Sequence, residues 1–309
     1  MKIAIMGAGA MGSFYGSYLS QNNEVWAVDI WKDHVNTINE KGLTLKISDT
    51  EEKVFKNIKA TDKAEDVGVA DLVVIFVKSV NTAEALVTNK ALFGPDTMVL
   101  TLQNGYGNDE DILEYVKAEN LFIGTTACGA TVLGPGHVFQ AGKGITNVGV
   151  TKAGDINRAQ IIVDLLNECG LEAVVAKDVM LAIWTKLLVN VGLNAPLALL
   201  GVRNGFIADS EAALKIGTTL VTEGAAVAKA EGYDINPEDI VQHYYIEGSK
   251  VVGYNRCSML QDVDKKRKTE NAKINGAIVR LGKKHGIPTP YNEVLQTLIT
   301  AKEDSYDYE

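Results

Sequence analysis

Cysteine is scarce in this chain. Cys128, Cys169 and Cys257 are its whole complement, too few and too scattered for a disulfide framework or a thiolate metal cage. Histidine is equally thin, with four residues far apart in sequence, so no metal site is expected. Six prolines, with 46% hydrophobic and 22% charged residues, exclude a disordered or fibrous chain and fit a globular one. An excess of positive charge is missing too. The formal net charge is -9, and the basic run Lys265-Lys266-Arg267-Lys268 is bracketed by Asp262, Asp264 and Glu270. Nucleic acid is therefore not an expected partner, and the run reads as a solvated helix face. No stretch reaches the ~18 uninterrupted apolar residues of a membrane span. The apolar start from Met1 to Met11 has Lys2 as its only basic residue and a glycine motif inside it, unlike a secretion signal. No membrane association is expected, and a reducing cytoplasm fits best.

What the chain does have is length and alternation. Its 309 residues exceed the usual size of one hydrophobic core, so two domains are expected. In the first half, β-branched runs at Lys2-Met6, Val25-Val28, Leu72-Val77, Met98-Leu102 and Leu121-Gly124 predict buried strands, with helical patterns between several of them. That alternation implies βαβ crossovers and a mostly parallel, doubly wound sheet. Lys78 then falls at the carboxyl end of the Leu72-Val77 strand, where ligands bind in such sheets. Between Gly134 and Val150, glycines separate two short apolar pieces, 136–140 and 145–150, that predict a hairpin closing the first domain. A helix over Asp155-Glu168 and a strand at Ala173-Val175 follow. Strand signals nearly vanish after that. The expected division is 1–176 for an α/β domain and 177–309 for an all-helical domain, its helices broken at Gly201-Gly205, Gly232-Pro237 and Gly286-Pro290. The acidic tail Glu303-Glu309 predicts a frayed terminus.

The strand Lys2-Met6 runs directly into Gly7-Ala8-Gly9-Ala10-Met11-Gly12, and a helical pattern (Phe14, Tyr18, Leu19) continues from it. This is G-x-G-x-x-G between a strand and a helix, the context of a Rossmann dinucleotide site. Gly7 suits the tight turn, Gly9 a close backbone approach to pyrophosphate, and Gly12 the packing of helix on strand. Asp29 ends the second strand, where a carboxylate accepts the ribose hydroxyls of NAD and repels the 2′-phosphate of NADP. The expected cofactor is NAD or NADP, with NAD favoured by Asp29; Trp31 and Lys32 beside it offer an indole for adenine and a cation for phosphate.

In the helical half, Lys186, Asn190 and Asn194 recur every four positions within an otherwise apolar segment. On a helix each such step drifts only ~40°, so the three form one polar stripe. Polar groups facing an apolar neighbourhood demand partners. From spacing alone, a catalytic lysine and a buried lysine paired to an acid are equally served by this pattern.

The chain resembles the ketopantoate reductase (2-dehydropantoate 2-reductase) family, collinearly from Met1 to about Leu298. The matching pieces are the glycine motif, Val77-Lys78, Gln103-Asn104-Gly105, Gly124-Thr125-Thr126, Trp184-x-Lys186-x3-Asn190-x3-Asn194, Ser258-Met259-Leu260-Gln261-Asp262, Thr269-Glu270, Ile274-Asn275-Gly276 and His285-Gly286-Ile287-Pro288-x-Pro290. The resemblance implies a catalytic Lys186 that donates a proton, and a 2-oxo acid held by Lys186, Asn190, Asn194, Asn204 and Ser258. It puts Lys78, Asn104, Ala130 and Glu270 on the cofactor side, joining Gly7, Ala8, Gly9, Ala10, Met11, Gly12 and Asp29. The implied reaction reduces 2-dehydropantoate to (R)-pantoate, a step toward pantothenate and coenzyme A. The chain departs from the family at Asn194-Ala195-Pro196-Leu197, where Asn-Pro-Leu is common and a bend one residue later is expected. It departs again at Thr269-Glu270-Asn271-Ala272, which loses an acid, and at Asp29-Ile30-Trp31, where an arginine for NADP is often found. This last stretch is similar to NAD-dependent D-2-hydroxyacid dehydrogenases of the same fold, including the D-mandelate type, which stand as the alternative reading. Retention of the lysine, asparagines, serine and glutamate speaks against a non-catalytic dinucleotide sensor. A small-molecule 2-oxo acid is the implied partner, and a homodimer is left open.

Overall fold

The computed structural model describes residues 1–151 and 154–308. The chain divides into two compact units: Met1–Gln103 with Asn108–Val179, and Asn104–Gly107 with Met180–Glu309. The division falls at Val179, and the four-residue segment 104–107 groups with the helical unit.

Among the described residues, the first unit is built on twelve strands: β1 (Lys2–Met6), β2 (Glu24–Val28), β3 (Leu43–Lys46), β4 (Glu52–Phe55), β5 (Ile58–Thr61), β6 (Leu72–Ile75), β7 (Met98–Thr101), β8 (Leu121–Thr126), β9 (Gly129–Gly134), β10 (His137–Gly142), β11 (Thr146–Val150) and β12 (Ala173–Val175). Eight of them form one sheet in the order β12-β11-β8-β7-β6-β1-β2-β5. It is parallel except where β11 runs against β8. The all-apolar centre explains the arrangement: β6 and β7 are buried along their whole length, as befits strands covered on both faces. Strand order reverses between β1 and β6, and there the carboxyl ends open a crevice.

The remaining strands make a second sheet, β4-β3-β10-β9, which the sequence pattern did not suggest. The expected hairpin also needs correction. The two pieces assigned to it do not pair; β10 pairs antiparallel with β9 and parallel with β3, while β11 pairs with β8 and β12. The tight turn lies at Gly134-Pro135-Gly136, between β9 and β10. Residues 143–145 instead carry the chain from β10 to β11 in the other sheet. The helix Ala10–Leu19 serves both sheets: Phe14, Tyr15 and Leu19 sit in the main core, and Tyr18 donates to Gln140 of β10 at 2.7 Å.

The helical unit packs around the 22-residue helix Val179–Leu200. By length and composition this helix would suffice to cross a membrane, yet 56% of its most apolar window is buried inside the protein. Trp184, Leu187, Val191 and Ala195 on it join Leu220, Val227, Ile278, Leu281 and Ile299 in one core. The helix continues through Pro196 to Leu200, and Tyr245 donates to the Leu188 and Val189 carbonyls at 3.3 and 3.0 Å. Asn275 and Asn292, both fully buried, tie four helices: Asn275 donates to Val191 O and to Asn292 Oδ1, and Asn292 donates to Leu220 O.

Two surface expectations are overturned. The basic run follows the end of the helix Ser258–Asp264 rather than lying on a helix face, with Lys266 at φ 50°, because Lys265 and Lys266 close that helix through carbonyls of Asp262 and Val263. The acidic tail does not begin to fray at Glu303, whose carboxylate accepts from both the amide and hydroxyl of Thr269 at 2.9 and 2.6 Å. Glu309 lies outside the described residues.

Candidate active site

The glycine loop follows β1 at the crevice. Gly7 has φ +93°, and a Cβ there would meet the Val77 amide nitrogen at 2.6 Å. Only glycine tolerates both the conformation and the approach to the loop after β6. Gly12 likewise faces the Gly7 carbonyl, whereas Gly9 has nothing within 4 Å of where its Cβ would be. This open position leaves the backbone accessible to a ligand, as a pyrophosphate site requires. No side chain caps the helix that starts at Ala10, so its first amides keep capacity for an anion.

Asp29 anchors the loop. It accepts from the Ala8 amide at 2.7 Å through Oδ2 and from the Trp31 amide at 2.9 Å through Oδ1, and each oxygen keeps a lone pair for a ribose hydroxyl. Two residues outside the motif hold the other side. Gly136 donates its amide to His34 Nδ1 at 2.9 Å, so the ring proton sits on Nε2, 3.1 Å from Ser13 Oγ. Ser13 in turn donates to the Ala8 carbonyl at 2.6 Å. His34 is fully buried, and burial depresses its pKa while the Asp29 carboxylate opposes the shift. Trp31 stacks on the His34 ring, 4.8 Å away and 12° from parallel. The residues present therefore fit a dinucleotide.

Lys78 follows β6 and precedes a short 3-10 turn at Ser79–Asn81. The loops after β6 and β7 are joined by Gln103, which donates to Val77 O at 2.7 Å and to Thr82 Oγ1 at 2.9 Å. Ala130 lies in β9, paired with Gln140 of β10, partly buried against the main core.

In the helical unit, Lys186 and Asn190 are half-buried and Asn194 is 3% exposed. The Asn194 side-chain amide nitrogen is buried without a hydrogen-bond partner, an arrangement that costs free energy unless a ligand supplies the acceptor. Its backbone carbonyl accepts from the Cys257 thiol at 3.7 Å. Asn204 donates its amide to Asn255 O at 2.9 Å, and Gly205 donates to Gly253 O at 2.9 Å. Asn194 and Asn204 thus both meet the 253–258 segment that carries Ser258, the first residue of its helix. The Oδ1 atom of Asn204 is a second buried polar atom without a partner. Burial pushes the neighbouring Cys257 thiol up to about 11, which keeps it a neutral packing group.

Glu270 is 6% exposed and accepts from Asn104 Nδ2 at 3.3 Å. The Asn104 segment also places the Tyr106 ring 4.9 Å from Trp184, two residues before Lys186. The structure therefore draws together Asn104 with Glu270, and Asn194 and Asn204 with the Ser258 segment. The sequence reading missed His34, Ser13 and the anchoring of the 104–107 segment. For that segment the pair Gly105 and Gly107, both at positive φ, was the available signal.

Fold and glycine loop together define a two-unit oxidoreductase of the Rossmann type with a helical second unit. The chain belongs to the ketopantoate reductase family: the family model described as ketopantoate reductase PanE/ApbA matches residues 3–153, and its C-terminal companion matches residues 178–303. A 2-dehydropantoate 2-reductase of Streptococcus pyogenes serotype M1 is 36% identical over 306 residues, covering 98% of each chain. A D-mandelate dehydrogenase solved with NADH and anilino(oxo)acetate superposes with a TM-score of 0.93 at 36% identity, covering 99% of each chain. A family ketopantoate reductase from Ralstonia eutropha JMP134 superposes with a TM-score of 0.87 at 29% identity, again over 99% of each.

Proposed function

We propose that this protein reduces the C2 carbonyl of 2-dehydropantoate to (R)-pantoate with a nicotinamide dinucleotide. The observation that carries the reading is the Lys186, Asn190, Asn194 stripe on a core helix, with a buried Asn194 amide that lacks an acceptor. In this reading the first unit binds the dinucleotide through Gly7–Gly12 and Asp29, with Lys78 and Ala130 contributing, and the helical unit binds the oxo acid. When bound, the reduced nicotinamide supplies the hydride. Lys186 delivers a proton from Nζ to the carbonyl oxygen and offers it positive charge as negative charge develops. Asn190, Asn194, Asn204 and Ser258 address the carboxylate, carbonyl and hydroxyl of the substrate. Asn104, oriented by Glu270, stands on the cofactor side. The 2-dehydropantoate 2-reductases among the relatives support this substrate.

A second reading, an NAD-dependent D-2-hydroxyacid dehydrogenase, is favoured by Asp29, whose carboxylate repels a 2′-phosphate, and by the likeness to the NADH-bound D-mandelate dehydrogenase. A panel of 2-oxo acids assayed with NADH and NADPH separates the two. A site built to bond a hydroxyl rejects analogues without it. 2-Dehydropantoate is expected to exceed 2-oxoisovalerate by ~10² or more in kcat/KM. Equal efficiency, or preference for 2-oxoisovalerate or benzoylformate with NADH, establishes the second reading instead.

A further inference from the structure

We infer that Lys273 is a positioning residue for this reaction, clamping the 104–107 segment to the helical unit so that Asn104 and Glu270 keep their places. The inference rests on the reading of Asn104 as a cofactor-side group. Four observations converge on this lysine. Its carbonyl accepts from the Tyr106 amide at 2.8 Å. Its ammonium donates to the Gly107 carbonyl at 2.9 Å. Gly105 lies directly against its backbone and side chain: at φ +96°, a Cβ would overlap the Lys273 carbonyl. Finally, the Lys273 amide donates to the Glu270 carbonyl at 3.0 Å, closing the short 3-10 turn Asn271–Lys273 that begins beside Glu270.

The consequence is geometric. Glu270 and Lys273 form the two ends of one turn, and each grips the same segment: Glu270 holds the Asn104 side chain, and Lys273 holds the backbone of the three residues after it. A charged donor to a buried-edge carbonyl is a stronger tie than a neutral one. The ammonium bond adds to the Tyr106 amide bond, the Asn104 side-chain bond to Glu270 and the Tyr106 ring contact to Trp184, and among these it is the tie with a charged donor. If Asn104 acts on the cofactor side as proposed, it is sensitive to slack in this segment, because displacements of ~1 Å in a positioned group cost up to ~10² in rate. The fold-level division agrees: residues 104–107 count with the helical unit although the chain on both sides belongs to the other.

The test uses the full-length protein with Lys273→Met, which keeps the stem and removes the ammonium, and Lys273→Arg, which restores a cation. Hydrogen exchange of the amides at 105–107 reads the clamp without any turnover. Lys273→Met is expected to exchange ~10-fold faster there and to lose ~10-fold or more in kcat, with the dissociation constant for the dinucleotide within twofold and the Tm nearly unchanged. Lys273→Arg is expected to recover most of both. Unchanged exchange overturns the clamp, and faster exchange with unchanged kcat overturns the positioning role. A fall in Tm with a matching loss of dinucleotide affinity makes Lys273 a general structural residue and overturns the proposal as well. Should the wild-type protein reduce no 2-oxo acid at all, the reading of the reaction fails and the positioning role with it, while the exchange result still judges the clamp.

Discussion

In the proposed reading, the glycine loop and the polar stripe bind by opposite means. Around Gly7–Gly12, recognition is a backbone property: amides, a positive φ and open space at Gly9 make the site, and the nearby side chains are already occupied. Asp29 and His34 each spend both of their polar ends on main-chain or serine partners. Around Lys186, Asn190 and Asn194 the site is made of side chains, and Asn194 and Asn204 keep buried polar atoms without partners. The first arrangement is complete before any ligand arrives. The second carries a standing cost that a ligand relieves, the usual signature of function traded against stability.

Replacing Lys186 gives the largest test of this contrast. Lys186→Ala is expected to cut turnover by ~10² or more, while the dissociation constant for the dinucleotide, measured by fluorescence titration, stays within twofold. Near-wild-type turnover would remove Lys186 from the reaction. Asn194→Ala sharpens the contrast further. Substrate kcat/KM should fall ~10-fold or more, yet thermal unfolding should shift by no more than a degree or two, because the side chain removed carries an unpaired buried donor that costs ~1–3 kcal/mol. A large loss of Tm would show that the amide is satisfied in the free protein.

Next comes Asp29. Its carboxylate should set a lower KM for NADH than for NADPH, and Asp29→Ala should narrow or invert the ratio in steady-state assays. A wild-type preference for NADPH of tenfold would mean that a cation such as Lys32 governs the choice. The same variant should weaken binding of both dinucleotides, since the Ala8 amide loses its acceptor.

Legibility in the sequence follows the range of the interactions. β1, the glycine loop, its helix and β2 with Asp29 are consecutive, and their pattern is local, so they were readable directly. The second sheet was not. β4 presents three exposed residues out of four, and β9 begins and ends in glycine, so neither shows the apolar alternation that marks a half-buried strand. The pairing of β3 with β10 joins residues such as Thr44 and His137, which no local window connects. The stripe was visible as geometry, but its chemistry came from family resemblance. Lys273 had no pattern at all: one lysine in a polar stretch becomes legible only when the segment it holds folds back against it.

The smallest expected effect concerns His34. Its native pKa lies below the ordinary histidine value because burial disfavours the charged ring. The unfolded chain therefore binds more protons, and the stability contributed by neutral His34 is complete above about pH 6.5 and declines as pH falls from there through the depressed native value. Dinucleotide affinity should weaken only as pH falls through that native value, where protonation of the ring in the folded protein removes the acceptor for Gly136. His34→Gln, which offers one donor and one acceptor, should flatten that part of the pH profile. Identical profiles for both proteins would show that another group sets it.

The placement of residues 104–107 has a practical corollary for recombination. Gly107 and Lys273 stand 166 positions apart, yet a chimera that exchanges everything after Val179 with a relative would leave this native loop facing a foreign dock. Crossovers should respect the contact rather than the linear order, moving 104–107 together with 180–309 as one discontinuous block. Libraries cut only at the visible border are expected to yield chimeras that fold and bind dinucleotide but turn over poorly, and carrying those four residues along should restore them.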